Sequence, residues 1–251
     1  MAKERRKVIV AGSLWMAVQY TMARGGNQSA KREIRAQISS PARESLNAKL
    51  SWQKLMLVLA ANFVSTDLVV TLTYRDANLP RNRDEANKKL DYFIRLLRAS
   101  RRQQGQDLVA AKITEGYHSG GRLHHHLILN ATGQDFDTIR SLWMRYGDNV
   151  DFELFGRDGP ERWAKYLTKE PREKGRRYIG DRTWSTTRNV KKPIKYYELV
   201  PSETGLSPPS GAFILDKTEC ENCYGRFTHI VARLPENAKG ENREIHPWGS
   251  V

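Results

Sequence analysis

Residues 108–130 read LVAAKITEGYHSGGRLHHHLILN, and this stretch predicts a β-hairpin. Two runs rich in apolar residues, 108–115 and 122–130, lie on either side of the segment YHSGG. Paired glycines favour a tight turn between antiparallel strands. The hairpin therefore forms the starting point from which the neighbouring elements can be assigned.

The second strand of this hairpin contains three consecutive histidines. Because side chains alternate between the two faces of a strand, His124 and His126 are expected on one face and His125 on the opposite, core-facing side. Glu115 ends the first strand and can sit across from the pair. Two imidazoles and a carboxylate can hold a divalent metal ion while leaving positions open for water or a phosphate oxygen. The competing interpretation is a histidine-rich strand whose side chains are satisfied within the protein.

The segments around the hairpin predict an α+β domain. The run DLVVTLTY at 67–74 indicates a buried strand, and the spacing of apolar residues indicates helices over 83–101 and 136–146. A strand over 150–155 and a helix over 159–169 follow. The order β-α-β-β-α-β is the split βαβ arrangement of ferredoxin-like and RNA-recognition-motif folds. We therefore predict a central antiparallel sheet with helices packed on one face, plus N- and C-terminal extensions.

Composition divides the chain into three predicted regions. Residues 1–66 comprise a basic, loosely structured arm over the first 37 residues and an amphipathic helix that begins near Ser40. Residues 67–195 contain the predicted sheet and end in a strongly basic segment. Residues 196–251 begin with a linker rich in Pro, Gly and Ser, and their C-terminal part is expected to add one or two strands.

The charge of the chain indicates the class of partner. The 251 residues include 42 Lys and Arg against 28 Asp and Glu, a net charge of +14, which favours a polyanionic partner such as nucleic acid. Residues 169–195 alone hold ten cations and three acidic residues, with aromatic residues between them. Basic grooves with aromatic side chains are typical of DNA-binding surfaces. The predicted DNA contacts are Arg176, Arg177, Tyr178, Trp184, Arg188, Lys191 and Lys192.

Several classes of protein are excluded by what the sequence lacks. Its two cysteines, Cys220 and Cys223, are too few for a disulfide scaffold and favour a reducing, cytoplasmic location. They have the spacing of half a zinc site, but no second pair completes it. No run of 18 apolar residues and no convincing signal peptide occur, so no membrane association is expected. No GxxxxGK[ST] loop occurs, so no NTP-driven helicase domain is expected either.

A nucleophile is predicted in the helix GPERWAKYLTKE, which begins at Gly159. Tyr166 and Lys169 are separated by three residues and therefore lie on one helical face. A phenol, with an ordinary pKa of about 10, is a poor nucleophile at neutral pH unless a phosphate is held in line with it. One turn before Tyr166 the sequence has Arg162 and Trp163, so a single tyrosine nucleophile is predicted.

These elements together resemble the HUH endonucleases, and specifically the rolling-circle replication initiators of phages and plasmids. The three motifs of that family, a Thr-rich strand, His-hydrophobe-His and Tyr-x-x-Lys, match VVTLTY at 69–74, HHH at 124–126 and the pair Tyr166 and Lys169. His125 departs from the family pattern, because the middle residue there is usually aliphatic or aromatic. The resemblance covers residues 67–170.

The resemblance implies a metal-dependent, site-specific endonuclease and ligase for single-stranded DNA, with residues 67–195 as the endonuclease domain. Cleavage would initiate rolling-circle replication through a covalent 5′-phosphotyrosine and a free 3′-hydroxyl. Glu115, His124 and His126 would hold Mg²⁺ or Mn²⁺, and Tyr166 would attack while Lys169 helps to orient the phosphate.

The implied partners are single-stranded or hairpin origin DNA and the helicase and DNA polymerase of a bacterial host. Two alternatives stay open at this stage. One is a non-catalytic nucleic-acid-binding regulator on a sheet of the same type. The other is a relaxase or transposase of the same superfamily.

Overall fold

The structure, a computed structural model, describes residues 3–22, 41–116, 122–169, 183–222 and 225–235. The chain divides into two compact units, Ser40–Lys191 and Met1–Ser39 with Lys192–Val251. Each unit contains a five-stranded sheet in which all the paired strands are antiparallel. The fold is therefore α+β, as the sequence predicts. None of the described helices is both long enough and apolar enough to cross a membrane.

The elements of the unit Ser40–Lys191 follow the predicted order. After the first two strands of the chain, β1 (Lys3–Ala11) and β2 (Leu14–Thr21), the unit contains α1 (Pro41–Asn62), β3 (Leu68–Thr73), a short 3₁₀ helix (Asp76–Asn78), α2 (Arg83–Gln103), β4 (Ala110–Glu115), β5 (His124–Leu129), α3 (Asp135–Trp143), β6 (Asn149–Leu154), α4 (Gly159–Leu167) and β7 (Trp184–Thr186). The sheet has the strand order β6-β3-β5-β4-β7. From β3 to β6 the elements alternate as β-α-β-β-α-β, which is the split βαβ arrangement.

One face of this sheet forms the main hydrophobic core with α2 and α3. Even-numbered residues of β3, such as Val70 and Leu72, pack with Phe93 and Leu97 of α2 and with Trp143 of α3. All five of these side chains are buried. This packing fixes which residues of β3, β4 and β5 remain for the opposite face.

The opposite face is also covered by helices, which corrects the prediction of helices on one face. Val69 of β3 and Ile128 of β5 point away from the main core and are nonetheless buried. α1 packs against α4, and α4 lies over this face, because the Tyr166 ring contacts His126 of β5. The sequence predicts α1 as an amphipathic helix, but its periodicity does not indicate which layer it joins.

The second unit also contains a structured N-terminal segment, where the sequence predicts a loosely structured arm. The unit has β1 and β2 together with β8 (Ile194–Pro201), β9 (Phe213–Asn222) and β10 (Gly225–Arg233), in the order β8-β1-β2-β10-β9. The basic residue Arg6 is buried there and bonds to Gln19 at 2.8 Å and Glu198 at 2.9 Å. Because these partners come from β2 and β8, the short basic segment alone gives no sign of them.

Candidate metal centre

The centre is formed where three neighbouring strands end. In the β4–β5 pair, Glu115 lies opposite His124 and Ile113 lies opposite His126. In the β3–β5 pair, Thr71 lies opposite His126. Directly opposed residues of antiparallel strands point to the same face. The strand register therefore brings one carboxylate and two imidazoles together at one edge of this face.

Three donor atoms of these side chains converge. The Nε2 atoms of His124 and His126 are 3.2 Å apart, and the Glu115 Oε2 atom is 3.6 Å from the first and 3.3 Å from the second. The Glu115 side chain is 17% exposed, that of His126 is 5% exposed and that of His124 is 28% exposed. The group is thus largely shielded, with its more open side at His124.

Hydrogen bonds on the far side of each imidazole set the orientation of both rings. The Nδ1 atom of His124 lies 2.9 Å from the carbonyl oxygen of Arg122, an arrangement that requires His124 to donate from Nδ1. The Nδ1 atom of His126 lies 3.0 Å from the hydroxyl of Thr71. Such contacts fix the tautomer and the ring plane of metal-binding histidines. Both Nε2 atoms are consequently directed at Glu115.

The donor set fits a divalent metal ion. Donor atoms about 2.1 Å from a shared ion lie roughly 3.0–3.4 Å from one another in tetrahedral or octahedral geometry. The three separations here, 3.2, 3.3 and 3.6 Å, agree with that arrangement. The ligand atoms of the group all lie within 4.8 Å of one another. Glu115, His124 and His126 therefore form a group that could hold a metal ion.

The carboxyl of Glu115 is poised in its ionised form. Burial by itself raises the pKa of this group, but the hydrogen bonds and charges of His124 and His126 outweigh burial and lower the pKa to about 2. A carboxylate that is already deprotonated at neutral pH is the form that binds a cation.

His125 lies on the other face of β5, as the alternation predicts. Its side chain is fully buried, with Nε2 2.6 Å from the Tyr74 hydroxyl and Nδ1 2.9 Å from the Thr114 hydroxyl. Burial lowers the pKa of this imidazole to about 3, helped by the neighbouring positive charges. His125 is thus a neutral part of the hydrophobic core and offers no atom to the metal group.

The predicted nucleophile lies next to this group. Tyr166 on α4 is 50% exposed, and its ring centre is 5.7 Å from that of His126. Trp163, one turn earlier, is buried and its ring is 5.8 Å from that of Tyr166. α4 ends at Leu167, so Lys169 follows the helix, where its side chain is exposed. The structure therefore brings Tyr166 beside the histidines, and it leaves Lys169 at the surface.

A glycine closes the base of the hairpin beside the ligands. Gly116 has φ +97°, a conformation that residues with a side chain rarely adopt. A Cβ atom at this position would lie 2.2 Å from the carbonyl oxygen of Arg122. That carbonyl accepts the hydrogen bond from His124. The absence of a side chain at Gly116 therefore permits the backbone arrangement that orients His124.

The predicted DNA contacts have different locations. Trp184 pairs with Ile113, which pairs with His126, so the three side chains form one row across the site face. Its indole donates to the Ser51 hydroxyl at 3.2 Å. Arg188 lines a groove beside α2, which belongs to the other face of the sheet.

The other predicted contacts add no geometry to the centre. Lys191 and Lys192 are exposed, and the backbone N–H of Lys191 donates to the Asn62 side chain at 2.6 Å. Arg176, Arg177 and Tyr178 lie outside the described residues, as does Cys223, whereas Cys220 is exposed on β9. Their predicted roles in DNA or metal binding stay predictions.

Sequence reasoning missed two groups that orient the histidines. One is the Thr71 hydroxyl and the other is the Arg122 carbonyl. The motif VVTLTY contains Thr71, and pairing that motif with the histidine strand would have indicated its position. A backbone carbonyl such as that of Arg122 leaves no signal in the sequence.

Comparison with known proteins places these observations in a family context. No curated protein and no solved structure matches the chain. The model of a family described as replication-associated protein, of the ORF2 type, matches residues 67–171. The matched range contains Glu115, His124, His126 and Tyr166. Through these residues, the match supports a replication initiator family for this chain.

Proposed function

We propose that the chain is a metal-dependent, site-specific single-stranded DNA endonuclease and ligase of the HUH type that initiates rolling-circle replication. The observation that carries this proposal is the position of the Tyr166 ring, 5.7 Å from that of His126 and so beside the group Glu115, His124 and His126. A binding module would need neither the three ligands nor the tyrosine. The family match supports a role in DNA replication.

In the proposed reaction Tyr166 is the nucleophile. Its phenolic oxygen bonds to the phosphorus of the scissile phosphate, and the bond from phosphorus to the 3′ oxygen breaks. The phenol loses its proton and the departing 3′ oxygen gains one, so the products are a 5′-phosphotyrosine and a 3′-hydroxyl. Because one phosphodiester replaces another, the reverse attack by a 3′-hydroxyl can rejoin DNA without ATP. The free 3′-hydroxyl is the end that a polymerase can extend.

The remaining residues bind and orient the substrate in this proposal. A divalent ion held by Glu115, His124 and His126 supplies positive charge that stabilises the negative charge developing on the phosphate. Lys169, which follows α4 and is exposed, is positioned in sequence to contact the same phosphate. Trp184 shares a row with His126 and can contact a base of the strand.

The nature of the donors favours Mn²⁺ over Mg²⁺. Mg²⁺ takes oxygen ligands almost exclusively, whereas imidazole nitrogen suits transition metals. Two of the three donors here are imidazole nitrogens. We therefore expect tighter binding of Mn²⁺ than of Mg²⁺ by the same protein, measurable by calorimetric titration.

The proposal includes host proteins. Since the sequence has no GxxxxGK[ST] loop, unwinding is assigned to a helicase of the host and extension to its DNA polymerase. The DNA partner is single-stranded or hairpin origin DNA, and the reaction takes place in the bacterial cytoplasm.

The test detects the covalent intermediate. The protein is incubated with a pool of end-labelled single-stranded DNA of random sequence and Mn²⁺, and adducts that survive denaturing electrophoresis are sequenced from the attached end. We expect a Mn²⁺-dependent adduct with a restricted set of sequences, and none with chelator.

A matched pair of variants identifies the nucleophile. Tyr166→Phe removes one oxygen from a half-exposed ring and should abolish both nicking and the adduct while leaving Mn²⁺ binding unchanged. Tyr197→Phe removes the same atom from an exposed tyrosine of β8 and should leave both activities intact. An adduct on a tyrosine other than Tyr166 would contradict the assignment. Cleavage without an adduct would indicate a hydrolytic nuclease, and DNA binding without cleavage would indicate a regulator.

A further inference from the structure

An open groove of about 960 Å³ lies between α2 and the strand edge formed by β4 and β7. It is on the side of the sheet away from the metal group. Lys112, which lines it, pairs with Leu127 of the main core, whereas the next residue, Ile113, pairs with His126. The groove is therefore a separate surface of the unit Ser40–Lys191.

The groove is strongly basic. Six cations and two carboxylates line it, for a net charge of +4. Asp91 forms an ion pair with Lys112, so these two charges offset each other. Within the part of the chain that the structure describes, Lys88, Arg98, Arg102 and Arg188 make no ion pair. The charge of the groove is thus available to a ligand.

The cations on α2 form a regular line. Lys88, Arg95, Arg98 and Arg102 fall within about 80° of the helix circumference, because 3.6 residues make one turn. At about 1.5 Å per residue, the line is about 21 Å long. One strand of B-DNA has a phosphate about every 3.4 Å along the helix axis, so the line spans about six phosphates.

The lining favours contacts to a backbone over contacts to bases. Single-stranded DNA is usually bound by aromatic rings on which bases stack. Among the described residues of the lining, Tyr92 is the only aromatic one, and the guanidinium groups of Arg95 and Arg145 lie 4.8 and 5.2 Å from its ring centre. Arginine side chains bind phosphate through several parallel donors.

We propose that this groove binds the phosphate backbone of double-stranded DNA, without reading its sequence. The proposal takes DNA as the partner from the proposed function, but it concerns a different surface and a different form of DNA. It assigns the duplex to the α2 side of the sheet, while the cleaved single strand belongs to the face with the metal group.

The test compares two triple variants with the same change in charge. Arg98→Gln, Arg102→Gln and Arg188→Gln together remove three cations from the groove. The control combines Lys54→Gln, Arg81→Gln and Arg157→Gln, three exposed residues of the same unit that do not line the groove. Thermal unfolding of both proteins checks that they fold as the wild type does.

Binding to a blunt duplex of about 20 base pairs, which is longer than the line of cations, is measured by fluorescence anisotropy at several salt concentrations. Each lost phosphate contact reduces the log–log salt slope by about 0.9, so the groove variant should lose up to about 2.7 and bind at least about tenfold more weakly at low salt. The control variant should lose less than half as much slope. Equal losses in the two variants, or duplex binding that is absent from the wild type, would overturn the proposal.

Two further measurements separate this proposal from others. Adduct formation on single-stranded DNA should be retained by the groove variant, since its changes are away from Tyr166. If the wild type forms no adduct, the nicking reaction fails while the slopes still decide the groove. Competition by polyglutamate as strong as that by duplex DNA would identify an acidic protein as the partner and contradict the proposal.

Discussion

His125 and His126 are adjacent on β5, yet they have opposite surroundings. His125 lies between the hydroxyls of Tyr74 and Thr114 in the core, so both of its nitrogens are used within the protein. His126 has one nitrogen at Thr71 and directs the other at Glu115 and His124. A buried histidine is therefore a candidate ligand when one nitrogen is held by the protein and the other converges with further donors. Burial alone does not distinguish the two faces.

The largest effect is expected from removing a ligand on the site face. His124→Ala should abolish Mn²⁺ binding and reduce adduct formation about a thousandfold, since metal ions contribute several kcal/mol to transition-state stabilisation. The loss of stability should be small, because the His124 side chain is partly exposed. Calorimetric titration and the adduct assay measure both effects. Wild-type Mn²⁺ affinity in this variant would remove His124 from the site.

The complementary change on the core face should affect stability instead. His125→Ala leaves a cavity and removes two hydrogen bonds, which should cost about 2–4 kcal/mol in urea unfolding. His125→Leu fills the cavity, and the hydroxyls keep other partners, since Thr114 also bonds to Asn87 at 2.8 Å and Tyr74 to the Ala86 carbonyl at 3.4 Å. It should cost about 1 kcal/mol. If His125→Leu lost Mn²⁺ binding while remaining folded, the two faces would not be independent.

A smaller effect is expected from the residue that orients His126. Thr71→Val keeps the shape of the side chain but removes its hydroxyl, and outer contacts of this type are worth about 10–100-fold in metal affinity. Thr71→Ser should restore the affinity. Thr73→Val, two residues along on the same face, is the matched control and should bind Mn²⁺ like the wild type. Equal weakening by both valine variants would indicate a general change in the sheet.

The smallest effect is a difference in pH dependence between the wild type and His125→Leu, both with chelator. Folded His125 has a pKa of about 3, whereas the unfolded chain takes up the proton near pH 6.5. Between these values the unfolded state binds more protons, so the wild type loses stability as the pH falls. From about pH 7.5 to 5.5 the loss attributable to His125 should be about 1.4 kcal/mol. Parallel stability curves for the two proteins would show that His125 is protonated in the fold.

Local patterns in the sequence were sufficient for much of the site. The alternation along β5 predicted that His124 and His126 share a face, and the hairpin predicted Glu115 opposite them. Both follow from the two-residue period of a strand. The helix that carries Tyr166 followed from its apolar spacing, but its position over the histidines depends on tertiary packing.

The parts that could not be predicted depend on partners distant in sequence. Arg6 looked like part of a solvated arm, because its partners Gln19 and Glu198 come from other strands. Similarly, the stretch that holds Trp184 was predicted as a DNA-binding loop on its charge, although Trp184 begins a short edge strand of the sheet. Net charge describes a segment as a whole and does not indicate which of its residues pair with a strand.

Gly116 offers no donor atom, yet an unbiased mutational scan should score it like a metal ligand. Every L-residue placed there would have to displace the Arg122 carbonyl and thereby turn the His124 ring. Tolerance at a position is commonly interpreted through the chemistry of its side chain. Here intolerance would report on a backbone path, and a selection based on nicking would enrich glycine at 116 as strictly as histidine at 124.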